Sequence, residues 1–265
     1  MKKFMKLAAV LMAAAMLLAL CACGNEPASD KKTITLGTSA DYPPFEFHML
    51  KDGKDTIVGI DIFMAQAIAE EMGAELVIKD IAFDNLLIEL GQGTVDFVIA
   101  AMEKDPDREA AADFSDPYYT DVPPQIVALK DVAANYTSLD DFNGKTVGAQ
   151  TETTKADIVT GEMTGANPLL MQSVTELVNS LVNAKCDAIV LDGAVAEKYI
   201  ASNDALAACP ISLGESAEPY RVAVKDGDPD KLLESINAAI KKAVDAGDIA
   251  TWIEQADALS AEAAE

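Results

Sequence analysis

His48 is the only histidine of the 265-residue chain. A histidine-built metal cluster or a Ser–His–Asp nucleophile system therefore has almost no material here. Carboxylates are the abundant chemical resource, with 44 Asp and Glu against 20 Lys and Arg. At that density acidic pairs arise by chance, and no spacing singles out the two carboxylates of a glycosidase. Gly144-Lys145-Thr146 looks like the end of a phosphate loop, but Leu139 stands where the loop's first glycine is required. Gly91-Gln92-Gly93 lacks the third glycine of a dinucleotide turn, and no Gly-x-Ser-x-Gly elbow occurs. No catalytic residue, metal ligand or cofactor is expected. The net charge of −24 opposes nucleic-acid binding, which needs cations against phosphate, and simple adsorption to anionic lipid.

The elements that would position a site alternate along the chain. Ile34-Thr35-Leu36-Gly37 reads as a strand, and the prolines of Asp41-Tyr42-Pro43-Pro44-Phe45 read as an irregular loop. Ile62, Ala65, Ala69 and Met72 share one helical face that stops at Gly73. Leu76-Val77-Ile78 follows as a strand. Val174, Leu177, Val178, Leu181 and Val182 form an apolar stripe behind a Ser173/Glu176 capping box. Asp228-Pro229 opens a last helix with Leu232, Ile236, Ile240 and Val244 on one face, ended by Gly247. Such alternation predicts an α/β fold with largely parallel sheets. One internal echo stands out: Asp96-Phe97-Val98-Ile99 and Asp187-Ala188-Ile189-Val190 each follow a helix end, suggesting one such unit in each of two lobes.

At the N-terminus, Lys2, Lys3 and Lys6 precede an apolar run over residues 7–20. As a helix that run rises about 21 Å, short of a roughly 30 Å hydrocarbon core, so it reads as an export signal. Leu20-Cys21-Ala22-Cys23 resembles a bacterial lipobox, with Cys23 as the lipid acceptor. Residues 1–22 are then a lipoprotein signal peptide and residues 23–32 a polar tether. The expected location is extracytoplasmic, lipid-anchored to the cell membrane by acyl chains such as palmitate. Export permits a disulfide between Cys186 and Cys209, but two cysteines are also what chance leaves in a chain this long.

Four stretches in consistent order resemble the extracellular solute-binding proteins of polar-amino-acid ABC importers (bacterial solute-binding protein family 3). They are Ser39-Ala40-Asp41-Tyr42-Pro43-Pro44-Phe45-Glu46-Phe47; Val58-Gly59-Ile60-Asp61-Ile62; residues 95–108 with Asp113-Phe114-Ser115-Asp116-Pro117-Tyr118-Tyr119; and Cys186-Asp187-Ala188-Ile189-Val190-Leu191-Asp192. A fifth, Leu139-Asp140-Asp141-Phe142-Asn143-Gly144-Lys145-Thr146-Val147-Gly148, looks like the family's second-lobe opening. The resemblance implies a two-lobe periplasmic-binding-protein-like (type II) α/β fold with two interlobe crossovers. Lobe 1 would be residues 33–121 plus 217–265, and lobe 2 residues 122–216. The implied function is binding an amino acid or similar small polar solute between the lobes and delivering it to an ABC transporter permease.

By the same resemblance Arg108 takes the ligand carboxylate, Thr153 and Thr154 supply a helix start beside it, and Asp192 takes the ligand ammonium. Tyr42 and Phe83 flank the ligand side chain, with Asp41, Ala100 and Met102 beside them. The chain departs from the family pattern at three positions: Glu103 for a usual threonine or serine, and Glu152 and Arg221 for usual glycines. A glutamate aimed at a carboxylate would repel it, so Glu103 turns away, binds a cationic ligand group, or is neutralised by Arg221. Periplasmic enzymes resembling cyclohexadienyl dehydratases use the same fold. That alternative needs Glu103 or Glu152 as a proton donor.

Overall fold

The computed structural model describes residues 32–214 and 217–263. The export signal, Cys21, Cys23 and the tether up to residue 31 lie outside the described residues. Thirteen strands are found among the described residues: β1 (Thr33–Thr38), β2 (Asp41–Tyr42), β3 (Glu46–Lys51), β4 (Lys54–Val58), β5 (Glu75–Asp80), β6 (Phe97–Val98), β7 (Ala112–Tyr119), β8 (Gln125–Leu129), β9 (Thr146–Gln150), β10 (Asn167–Met171), β11 (Ala188–Leu191), β12 (Leu206–Ala208) and β13 (Tyr220–Lys225). They form two five-stranded sheets, β5-β1-β6-β13-β7 and β10-β9-β11-β8-β12, and a small β2-β3-β4 sheet.

Each large sheet is half parallel rather than largely so. β1 runs parallel to β5 and β6, while β13 runs antiparallel to β6 and β7. In the second sheet β9 is parallel to β10 and β11, and β8 is antiparallel to β11 and β12. The reason is connectivity. β8 and β13 are reached when the chain passes from one sheet to the other, without the helical return that would make the pairing parallel.

The internal echo has a physical origin in this topology, because β6 and β11 hold equivalent central places. Asp96 accepts the Thr35 N–H at 2.7 Å and returns its own N–H to the Thr35 carbonyl at 2.9 Å. Asp187 does the same with Thr146, at 2.8 Å both ways. In each lobe the acid before the central strand locks that strand to its parallel neighbour.

Local signals set the helices. The Ile60–Glu71 helix buries Ile62, Met64, Ala65 and Ile68 against Ile34, Leu36, Phe97 and Ile240. Ser173 accepts from the Glu176 N–H and starts the Val174–Val182 helix. Three expectations are corrected. The Asp228-Pro229 helix begins at Leu232, with the Asp228 carboxylate capping the Leu232 and Leu233 N–H groups, so Pro229 lies outside it. Nor is it the last helix: Asp248–Ala263 follows. Asp41–Tyr42 is likewise not wholly irregular, since both residues pair with β3 and Pro43-Pro44 makes the turn. Cys186 and Cys209 are buried free thiols. No helix among the described residues is long and apolar enough to cross a membrane.

Candidate functional site

The carboxyl ends of the parallel strands of both sheets converge, the place where open α/β sheets take ligands. Ser39 follows β1, residues 99–103 follow β6, Gln150 ends β9, and Asp192 follows β11. Between them lies a cavity of about 10 Å3, the room of roughly one water, bordered by Tyr42, Phe83, Ala100, Glu103, Arg108, Thr153 and Asp192. Seven of the nine expected residues thus share one cavity. Met102 borders a neighbouring groove instead, and Thr154 stays off the cavity but donates its hydroxyl to Glu103. Ser39, Glu46, Ala101, Gln150 and Lys155 complete the lining and were not expected.

Arg108 is cradled by its own helix start. Asp105 caps the Arg108 N–H at 2.8 Å and pairs with its Nε at 3.2 Å. Nη1 donates to the Glu103 carbonyl at 2.6 Å and Nη2 to the Glu152 carbonyl at 2.9 Å. The guanidinium carbon lies 5.3 Å from the Phe83 ring centroid, within cation–π range. Glu152, at φ 60°, meets the arginine through its carbonyl oxygen.

Asp192 precedes the Gly193–Ser202 helix but does not cap it with its side chain. Its carboxylate accepts from the Tyr42 hydroxyl at 2.5 Å and pairs with the Lys155 ammonium at 2.6 Å. Gly193 is required beside it, because a Cβ there would stand 2.7 Å from the Pro123 carbonyl oxygen. Thr153 is a true N-cap: its hydroxyl donates to the Gln150 carbonyl and accepts from the Ala156 N–H.

Of the three options for Glu103, neutralisation is the one the structure shows, with Lys155 in the place expected of Arg221. The Glu103 carboxylate pairs with Lys155 at 3.0 Å and accepts from Thr154. Arg221 does not neutralise it, since that guanidinium donates to the Ser115 carbonyl at 2.7 Å. Burial works against the Lys155 charge, but Asp192 and Glu103 outweigh it and raise the pKa. Asp41 is also turned to other work, accepting from the Ser173 hydroxyl and the Val174 N–H, both at 2.7 Å. Its pKa is raised because burial outweighs those bonds.

Beneath the cavity Asp61 accepts from the Ala101 N–H and the Tyr118 hydroxyl, both at 2.7 Å. This holds Ala101 at φ 44°, a conformation non-glycine residues rarely adopt. Glu46 lies fully buried beside it with neither carboxyl oxygen hydrogen-bonded. Burial and the Asp61 charge push Glu46 well above the usual carboxylate range. Nothing local in the sequence marks Glu46 or Lys155, since each takes its meaning from acids distant along the chain.

Residues 34–255 match the model for bacterial extracellular solute-binding proteins, family 3. The chain is 36% identical to the arginine-binding extracellular protein ArtP of Bacillus subtilis over 255 residues, covering 94% of this chain and 95% of that protein. It also resembles the amino acid ABC transporter substrate-binding protein AbpA of Streptococcus pneumoniae, solved bound to L-arginine. That match has a TM-score of 0.82 and 30% identity, over 86% of this chain and 95% of that one. An ancestral arginine-binding protein solved with glutamine gives a TM-score of 0.77 and 33% identity, over 85% and 97% of the two chains.

Proposed function

The chain belongs to the bacterial extracellular solute-binding proteins of family 3, and from that premise we propose that its cleft binds an α-amino acid, with L-arginine the first ligand to test. It is the extracytoplasmic binding component of an amino-acid ABC importer and not an enzyme. The observation that carries the ligand reading is the pair Arg108 and Asp192, a buried cation and a buried anion bordering one cavity. A zwitterion entering such a cleft loses water from both its charges, so each needs a fixed counter-charge. Arg108 offers a planar fork for the carboxylate, and Asp192 a carboxylate for the ammonium.

Tyr42, Phe83, Ala100, Met102, Glu103, Thr153 and Thr154 form the proposed surround. Residues 33–121 with 217–265 would move as one body against residues 122–216, because only the closed arrangement touches both ligand ends. The dehydratase alternative finds no support: Glu103 is engaged by Lys155 and Thr154, and Glu152 meets Arg108 through its backbone. A thermal-shift screen of the standard amino acids tests the reading, since ligand at about 100 times its Kd adds about 2.7 kcal/mol. A stabilising set that includes arginine is expected. A screen in which no amino acid stabilises the chain sinks the reading.

We also propose that lipid on Cys23 tethers the exported chain to the membrane, where it would hand its ligand to the permease. Cys23→Ala should release it into the soluble fraction with ligand affinity unchanged. Retention on membranes would point to Cys21 or to another anchor.

A further inference from the structure

Three charged side chains close the cleft in a row. Lys155 is 5% exposed, Glu103 6% and Asp192 2%. The single ammonium serves both carboxylates, at 2.6 Å to Asp192 and 3.0 Å to Glu103. Among the described residues it makes no other ion pair. Glu103 belongs to the loop after β6 of one sheet, Lys155 to the short Thr154–Asp157 helix after β9 of the other, and Asp192 to the end of β11, so the bridge spans the lobes.

We propose that Lys155 is a specificity-determining residue: a cation built into the cleft that competes with the cationic groups of the ligand for Asp192 and Glu103. The inference rests on the amino-acid reading above and deepens it. Arg108 and Lys155 balance Glu103 and Asp192 around the cavity, and a dry site tolerates little imbalance. An amino acid with a neutral side chain puts one ammonium on Asp192. Lys155 then gives up that partner, keeps Glu103, and the site stays balanced. An amino acid with a cationic side chain calls on Glu103 as well, and Lys155 loses its second partner. Lys155 therefore holds down the preference for a cationic side chain over a neutral one. It also explains how a glutamate is accommodated next to a carboxylate-binding arginine, because its charge is already met.

The test compares Lys155→Gln with the starting protein by titration calorimetry in the full chain, using L-arginine and L-glutamine. The ratio of the glutamine Kd to the arginine Kd should rise about tenfold, while Lys155→Arg, which keeps the charge, should leave it within threefold. A rise below threefold in Lys155→Gln overturns the proposal. If the starting protein binds neither of these two and no other standard amino acid stabilises it, the function proposed above fails. The competitor is then judged by small-angle scattering without added amino acid. Without the ammonium, Glu103 and Asp192 repel across the lobes, so Lys155→Gln should have the larger radius of gyration; an equal radius overturns the proposal. Should that variant not fold, Glu103→Gln combined with Lys155→Gln removes the pair together. Glutamine should then bind at least threefold tighter, because Asp192 is no longer contested, and unchanged glutamine affinity overturns the inference.

Discussion

Arg108 donates from Nη2 to the carbonyl oxygen of Glu152 at 2.9 Å, so one guanidinium joins the loop after β6 to the loop after β9. Its other arm ends on the Glu103 carbonyl at 2.6 Å. Two oxygen acceptors on one planar fork are what a ligand carboxylate would replace.

Arg108→Lys should weaken amino-acid binding by roughly 1.5 to 3 kcal/mol, the range for a hydrogen bond to a charged group. Lysine keeps the charge and loses the second arm, so the loss should persist at high salt, where simple charge attraction is screened. Calorimetric titration at low and high salt measures it. A loss that vanishes with salt would reduce Arg108 to a point charge.

Asp192→Asn should cost a comparable amount, because the ligand ammonium loses its counter-charge in a buried site. Tyr42→Phe removes only the hydroxyl bond to Asp192 and should cost about 0.5 to 1.5 kcal/mol. Equal affinities for Asp192→Asn and the starting protein would remove the ammonium from this site.

The Glu46 and Asp61 carboxyls should answer differently to their amides. Burial and the Asp61 charge favour the protonated form of Glu46, so Glu46→Gln should change stability at pH 7 by less than about 1 kcal/mol. Asp61→Asn puts an amide where the Ala101 N–H and Tyr118 hydroxyl find a carboxylate. It should cost about 1 to 3 kcal/mol in urea unfolding, the penalty for leaving buried polar groups poorly paired. Equal costs for the two variants would contradict the protonation assignment.

Asp121 lies between the two sheets in sequence and accepts from the Val122 and Ala194 N–H groups and the Tyr220 hydroxyl. Burial and then the Asp192 charge push its pKa up to about 6 from 3.8. Folding therefore favours its protonated form. Its contribution to stability is full below about pH 4 and is lost as pH rises through about 6. Asp121→Asn should remove that loss. The drop in unfolding free energy between pH 4 and 7 should then be smaller by roughly 1 to 3 kcal/mol, since each tenfold change in proton affinity is worth about 1.4 kcal/mol. Parallel pH profiles for the two proteins would refute the assignment.

The features legible along the chain were those that depend on short-range pattern. Ser173 and Glu176 mark a helix start because a cap acts within one turn. The two acid–strand units were visible because the same local bond was needed once in each lobe, from Asp96 to Thr35 and from Asp187 to Thr146. The motif order placed Tyr42, Arg108 and Asp192 at one site, and they do border one cavity. The Asp248–Ala263 helix escaped notice because it buries only Ala256 fully, too little apolar stripe to read. The antiparallel half of each sheet was equally hidden, since it depends on where the chain crosses between lobes. Lys155 was invisible for a deeper reason. Lysine is ordinarily a surface residue, and only the fold brings Glu103, 52 positions away, and Asp192 to its ammonium. Charge pairing in a buried site is decided by three-dimensional distance and dryness, and the linear chain encodes neither locally.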